Sequence, residues 1–173
     1  EARLIDVGSG AGLPGVVLAI VRPDLEVHLV EPMLRRTQWL DVVVAELGLD
    51  SVTVHRGRAE EFAGVLAAPF VTARAVARLD KLARWCVPLL EPQGVLVAMK
   101  GRSAATELDE DRKGLERLGL TDAVVTEHSS ALLEESVLTV DLRFAPRATR
   151  AKDARTERGR SSKQARTAGQ ARS

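Results

Sequence analysis

Short apolar runs alternate along the first hundred residues with stretches in which apolar residues recur every three or four positions. The β-branched runs predict strands, and the helical spacing predicts amphipathic helices between them. The predicted strands are residues 4–7, 25–30, 51–55, 70–74 and 94–100. One predicted helix begins at residue 16, and three others cover residues 32–47, 61–66 and 79–90. Strands that alternate with helices predict a largely parallel sheet.

The pattern changes after residue 101. A highly charged helix is predicted over 104–118, followed by strands over 123–128 and 137–144. The short connection between these two strands favours an antiparallel pair. We therefore predict an α/β fold of the Rossmann-like kind, with helices on both faces of a seven-stranded mixed sheet that closes on an antiparallel pair.

A glycine-rich turn follows the first strand, and two motifs overlap in it. Gly10, Gly12 and Gly15 match the dinucleotide fingerprint, whereas Gly8, Gly10 and Gly12, preceded by Asp6, match the turn that holds S-adenosylmethionine in class I methyltransferases. In both cases a carboxylate after the second strand accepts hydrogen bonds from ribose hydroxyls. Glu31 has that position; the alternative is an acid favoured by the dipole of the next helix.

The rest of the chain favours the methyl donor over a nicotinamide. Arg58, Ala59 and Glu60 follow the third strand, where class I methyltransferases contact adenine, and the final antiparallel pair is their usual ending. We find no second glycine turn and no His/Asp or Tyr/Lys arrangement suited to hydride transfer. A sulfonium already carries a good leaving group, so the site must mainly orient a nucleophile.

Charge divides the chain into a predicted methyltransferase domain, residues 1–146, and a basic tail, residues 147–173. The tail contains nine Lys/Arg and two acids, giving +7, and the domain carries −6. We expect the tail to be disordered and either to bind nucleic acid or to act as a solubilising extension. No apolar run is long enough for a membrane span. The single cysteine, Cys86, is expected in the core.

Histidine and aromatic residues contribute little to the predicted chemistry. His28, His55 and His128 are scattered without metal-ligand spacing, so we expect structural roles and no metal. Trp39 and Trp85 lie on predicted helices among apolar residues, and we predict both in the core. Aromatic residues make up only 3% of the chain, which argues against a base-stacking platform.

A longer series of motifs resembles one family. Residues 5–16, Ile-Asp-Val-Gly-Ser-Gly-Ala-Gly-Leu-Pro-Gly-Val, are similar to the signature of the RsmG (GidB) family, bacterial methyltransferases of small-subunit ribosomal RNA. Further matches follow in order: Arg35-Arg36 and Leu40, residues 56–62, residues 73–75, Trp85-Cys86, and Met99-Lys-Gly101. The resemblance covers about residues 4–101.

The resemblance implies methyl transfer from S-adenosylmethionine to N7 of a guanine in the decoding-region loop of 16S ribosomal RNA. It also implies a role for each matching residue. Lys100 and Arg58 would face the RNA and position it. Because guanine N7 carries no proton, no general base is expected. The residues expected to bind the cofactor are Gly8, Gly10, Gly12, Leu13, Glu31, Ala59, Glu60 and Arg74, with Glu31 replacing the commoner Asp.

Several alternatives stay open on the sequence. Arg74 could instead pair with a nearby acid, and Lys100 could be a solvated strand end. The chain starts at Glu1 without the family's N-terminal helical segment, so we expect a fragment. Many members have a basic pair after the glutamate that matches Glu135, whereas Ser-Val-Leu follows it here. We expect a cytoplasmic monomer that binds the small ribosomal subunit. The remaining function classes are a methyltransferase with another substrate, an NAD-dependent oxidoreductase and an inactive RNA-binding remnant.

Overall fold

The computed structural model describes residues 2–74, 77–130 and 136–146. The predicted tail and Glu135 lie outside these residues. The strands are β1 (Ala2–Val7), β2 (Leu25–Glu31), β3 (Val52–Arg56), β4 (Ala68–Arg74), β5 (Leu90–Lys100), β6 (Leu120–His128) and β7 (Val137–Phe144). The α-helices are α1 (Gly15–Val21), α2 (Leu34–Glu46), α3 (Leu79–Cys86) and α4 (Ala104–Arg117). Short 3₁₀ helices cover Ala59–Phe62 and Val87–Leu89.

The seven strands form one sheet in the order β3-β2-β1-β4-β5-β7-β6. The first five strands along the chain pair in parallel, whereas β7 is antiparallel to both β5 and β6. The predicted mixed sheet with a final antiparallel pair is therefore confirmed. The strand order reverses between β1 and β4, where Val7 pairs with Ala73. In open α/β sheets such a reversal leaves a crevice at the carboxyl ends of the strands, and ligands bind there.

Each face of the sheet buries its own apolar cluster, because the strands are covered on both sides. On one face, Leu29 of β2 packs with Val16 and Ala19 of α1 and with Leu40 of α2. On the other face, Ile5, Val71 and Leu96 pack beneath α3 and α4. Cys86 is fully buried in this second cluster, as predicted, and burial raises the pKa of its thiol. The two clusters fix the strand ends that surround the crevice.

The element boundaries differ from prediction mainly around residue 61 and around Pro88. The helix predicted over 61–66 is a 3₁₀ turn over Ala59–Phe62. The helix predicted over 79–90 ends at Cys86 and continues as a 3₁₀ turn, and β5 already begins at Leu90. Proline lacks the N–H that an α-helix needs and crowds the preceding turn. Likewise α2 begins at Leu34 rather than at Pro32, because β2 extends through Glu31 and Met33 has an extended backbone.

Candidate functional site

The glycine-rich turn after β1 folds back over the end of β2. The amide of Gly8 donates to the carbonyl of Val30 at 2.8 Å, and the amide of Gly12 donates to the backbone carbonyl of Ser9 at 2.8 Å. Gly8, Gly10 and Gly12 all have positive φ, a region that side chains disfavour. A Cβ on Gly12 would also lie 2.6 Å from Cγ2 of Val16. The turn therefore requires glycine for its own conformation.

Gly15 serves packing rather than ligand approach. A Cβ at this position would lie 2.4 Å from Cδ2 of Leu29 and 2.7 Å from Oδ2 of Asp6. The Gly15 amide donates to Oδ2 of Asp6 at 3.0 Å, and the amide of Val16 donates to the carbonyl of Gly12. The N–H groups of Gly15 and Val16 at the start of α1 are therefore not available to a ligand, because the protein itself supplies their acceptors.

Asp6 lies at the base of the turn, buried beneath it. Burial raises the pKa of its carboxyl to about 6, against the lowering effects of the Gly15 amide and the nearby Arg74 guanidinium. Among the described residues, Oδ1 of Asp6 has no hydrogen-bond partner. The turn thus contains a carboxylate that is only partly satisfied within the chain.

Glu31 holds the turn from the end of β2. Its carboxylate accepts hydrogen bonds from the amides of Gly10 at 2.9 Å and Met33 at 3.0 Å, and Nη1 of Arg36 lies 3.6 Å away. The side chain is almost fully buried. A carboxylate has about four acceptor positions, so two remain for ligand hydroxyls after the two amides are bound.

A cavity of about 400 Å³ opens beside Glu31, and we call it the smaller cavity. Its wall includes the residues predicted for the adenine end, Arg58, Ala59 and Glu60, together with Gly8. Trp85 also lines it, so this residue is not only a core side chain as predicted. The structure therefore brings the sequence-predicted residues of three separate strand ends to one cavity.

A second cavity of about 880 Å³ adjoins the first, and we call it the larger cavity. The two cavities share Gly8, Met33 and Arg36. Three guanidinium groups line the larger cavity, from Arg35 and Arg36 on α2 and from Arg74 at the end of β4. The family resemblance implies that Arg74 binds the cofactor, yet Arg74 lines this cavity and not the smaller one; the resemblance gives Arg35 and Arg36 no role beyond matching the family.

Trp39 also lines the larger cavity, which corrects its predicted place in the core. Its side chain is 55% exposed, whereas the buried residues of α2 are Thr37 and Leu40. Helical geometry explains the error, because the position before Leu40 lies about 100° around the helix from it. Leu13, predicted at the cofactor, is exposed and does not line either cavity.

Lys100 is buried and paired, and it lines neither cavity. Only 6% of its side chain is exposed, and Nζ lies 2.7 Å from both Oε2 of Glu107 and the carbonyl oxygen of Ala77. Lys100 is therefore not a solvated strand end, because its ammonium group is paired within the protein. The buried carboxylate of Glu107 attracts it away from solvent.

The histidines are less scattered than the sequence indicated. Nδ1 of His28 lies 3.0 Å from Nε2 of His55, because β2 and β3 are neighbours, while His128 contacts Thr139. Burial lowers the pKa of both His28 and His55. In the described part of the chain, no three His, Cys, Asp or Glu residues are grouped as metal ligands. No helix within the described ranges is long and apolar enough to cross a membrane.

Two solved methyltransferases share the fold of this chain. The chain superposes on a 16S rRNA (adenine(1408)-N(1))-methyltransferase from Catenulisporales acidiphilia with a TM-score of 0.69 and 18% identity, covering 86% of this chain and 88% of that one. A SAM-dependent O-methyltransferase from Thermotoga maritima gives a TM-score of 0.66 and 16% identity, covering 86% and 61%. At this identity the likeness establishes the class I methyltransferase fold.

Curated relatives are much closer in sequence. Ribosomal RNA small subunit methyltransferase G of Paenarthrobacter aurescens is 50% identical over 140 residues, covering 81% of this chain and 65% of the relative. The protein of that name from Beutenbergia cavernae is 54% identical over 134 residues, covering 78% and 62%. The chain thus spans just under two thirds of their length. The family model of rRNA small subunit methyltransferase G (GidB) matches residues 1–136, and the chain belongs to that family.

Proposed function

We propose that this chain transfers a methyl group from S-adenosylmethionine to N7 of a guanine in 16S ribosomal RNA, in the decoding-region loop. One observation carries the proposal: a cavity with carboxylates for a nucleoside adjoins a cavity lined by three guanidinium groups. The first suits the cofactor and the second an anionic polymer. The proposed enzyme acts as a cytoplasmic monomer on the small ribosomal subunit.

The smaller cavity fits the chemistry of S-adenosylmethionine. Glu31 retains acceptor positions for the ribose hydroxyls, and the 3₁₀ turn at Ala59 and Glu60 lies where the adenine would be held. Gly8 lines the same cavity with positive φ and no side chain, so a ligand can approach the backbone of the turn closely there. When bound, the cofactor supplies a methyl group activated by a sulfonium.

The larger cavity fits an RNA segment beside the cofactor. Arg35, Arg36 and Arg74 offer planar donors that match phosphates and the O6 and N7 edge of guanine. No side chain has to remove a proton, because the N7 lone pair lies in the ring plane and is already free to react. The residues thus need only orient the base and keep its other nucleophilic atoms away from the methyl group.

Lys100 and Arg58 have different roles in this proposal. Arg58 lines the smaller cavity directly, so it can contact RNA that enters beside the cofactor. Lys100 acts from outside both cavities. Its Nζ donates to the carbonyl of Ala77, which comes three residues after Arg74 in the sequence. We therefore propose that Lys100 is a positioning residue for the chain around Arg74.

The cofactor part of the proposal is tested by calorimetric titration with S-adenosylmethionine and with NAD. We expect saturable binding of the first, weakened about 10- to 100-fold by Glu31→Ala, because charge-assisted hydrogen bonds are lost. Glu46→Gln, at the exposed end of α2, is the matched control and should bind as the parent does. Binding of NAD without S-adenosylmethionine would instead support the oxidoreductase alternative.

The substrate part is tested by transfer of a labelled methyl group to small ribosomal subunits that lack the modification. We expect incorporation by the unaltered chain and its loss in the Arg74→Ala variant. Transfer to a small molecule or a protein, with none to the subunits, would refute the RNA substrate while leaving the cofactor assignment intact.

A further inference from the structure

Two properties of Trp39 bear on what the larger cavity binds. Its indole is more than half exposed, and its Nε1–H points to the carbonyl of Ala11 at 3.4 Å, at the edge of the glycine-rich turn. The long N–H···O contact directs the ring edge toward the turn. Trp39 is one of the residues that line the larger cavity.

The surroundings of this indole are cationic. Arg35 and Arg36 lie on the same helix, and Arg74 reaches the cavity from β4. The charge is local, because residues 1–146 as a whole carry −6. A purely apolar partner would have to desolvate several guanidinium groups without supplying acceptors. An occupant with an aromatic face for the indole and anionic groups for the guanidinium groups suits both features of the cavity.

We propose that Trp39 stacks on an unpaired nucleobase of the RNA substrate while the neighbouring arginines hold its phosphates. The proposal rests on the proposed function and adds to it a second base-binding position beside the methyl-acceptor site. Unpaired bases in loops are the parts of RNA that proteins most often read by stacking on aromatic side chains. The substrate is thereby specified as a single-stranded or looped segment rather than a continuous duplex.

The position of Trp39 on the rigid helix α2 suits this role. Thr37 and Leu40 are buried and hold the helix against the sheet. The contact with the carbonyl of Ala11 holds one edge of the indole at the turn, and more than half of the residue stays exposed. Val42 is comparably exposed on the same helix but does not line the larger cavity. It therefore provides a control for the loss of an exposed apolar side chain.

Fluorescence gives a direct test, because the chain contains only two tryptophans. In the Trp85→Phe variant all tryptophan emission comes from Trp39. We expect saturable quenching of this emission by an RNA hairpin with an unpaired purine loop. The same hairpin with abasic loop nucleotides retains every phosphate and should leave the emission nearly unchanged. Equal quenching by both hairpins, or by neither, would overturn the proposal.

Binding measurements with Trp39 variants separate stacking from charge. Trp39→Ala should weaken hairpin binding about 5- to 150-fold, the range for loss of one stacked base, with an unchanged salt slope. Trp39→Phe should restore most of the affinity, and Val42→Ala should bind as the parent does. A Trp39→Ala variant with parental affinity would contradict the proposal.

The proposed function and this inference fail in different ways. If the parent methylates ribosomal subunits but Trp39→Ala neither weakens binding nor raises KM, only the stacking role is refuted. If the loop quenches Trp39 in the Trp85→Phe variant but the parent chain transfers no methyl group, the proposed reaction is refuted and the stacking role stands. S-adenosylmethionine affinity should be unchanged in Trp39→Ala; a parallel loss would refute a role restricted to RNA.

Discussion

The ion pair between Lys100 and Glu107 is the most strongly buried charged contact between β5 and α4. The two side chains are 6% and 15% exposed, and Nζ lies 2.7 Å from Oε2. Glu107 also accepts hydrogen bonds from Ser103 and from the amide of Leu79 at the start of α3. One carboxylate thus joins the end of β5 to the starts of two helices. Removing the Glu107 carboxylate should therefore destabilise the end of β5 and the starts of α3 and α4.

The expected cost follows from this burial. Removing one partner of a buried pair leaves an uncompensated charge and typically costs 3–5 kcal/mol. Each partner here keeps at least one other hydrogen bond, so we expect about 3 kcal/mol for Lys100→Met and for Glu107→Gln. The double variant leaves no charge stranded and should cost at least about 1 kcal/mol less than the sum of the single changes.

Urea unfolding at pH 7 measures these free energies. The control is Asp109→Asn, which removes an exposed pair with Arg112 on the same helix and should cost below about 0.5 kcal/mol. Burial alone would raise the pKa of Glu107, but its hydrogen bonds from Lys100 and Ser103 outweigh burial and lower it. The stabilisation is therefore present above the carboxyl's ordinary pKa and is lost as pH falls through the lowered value.

Two results would refute this reasoning about the pair. The first is additive single costs below about 0.5 kcal/mol, which would show that water screens the contact as at the surface. The second is a smaller salt slope of RNA binding in Lys100→Met. Loss of a direct phosphate contact reduces that slope by about 1, whereas loss of a positioning residue leaves it unchanged.

Three further predictions concern the turn and the tail. Asp6→Asn should raise the free energy of unfolding by up to about 3 kcal/mol at pH 8. Because the pKa of Asp6 is raised to about 6, the parent loses stability as pH rises from about 4 to 6. Urea unfolding of the parent and the variant across that pH range measures this loss. Gly15→Ala should cost about 1–3 kcal/mol in urea unfolding through overpacking, whereas Gly114→Ala, with open space in α4, should be neutral or stabilising. Deleting residues 147–173 removes +7 and should weaken RNA binding and flatten its salt dependence; an unchanged slope would exclude the tail from binding.

The local parts of the site could be predicted from the sequence. The apolar run of β1, the glycines after it and Glu31 at the end of β2 are each encoded within a few residues. Parallel strands bring their carboxyl ends to one edge, so Arg58, Ala59 and Glu60 could be expected there too. The sheet and its final antiparallel pair followed from the same alternation.

The parts that depend on distant partners could not be predicted. Glu107 is one of many acids in residues 104–118, and nothing local selects it as the partner of Lys100. Trp39 follows the apolar spacing of α2, but its neighbour Leu40 is the side chain that faces the core. His28 and His55 meet only because β2 and β3 pair in a particular register.

Mapping the methyl group after reaction of the chain with unmodified small ribosomal subunits tests the proposed reaction directly. We predict one labelled nucleoside, 7-methylguanosine, from a loop of 16S ribosomal RNA. We also predict that labelling is strongly reduced in Glu31→Ala and lost in Arg74→Ala, because each cavity contributes one requirement. Methylation at another atom or on another class of molecule, or full activity of the Glu31 variant, would contradict it.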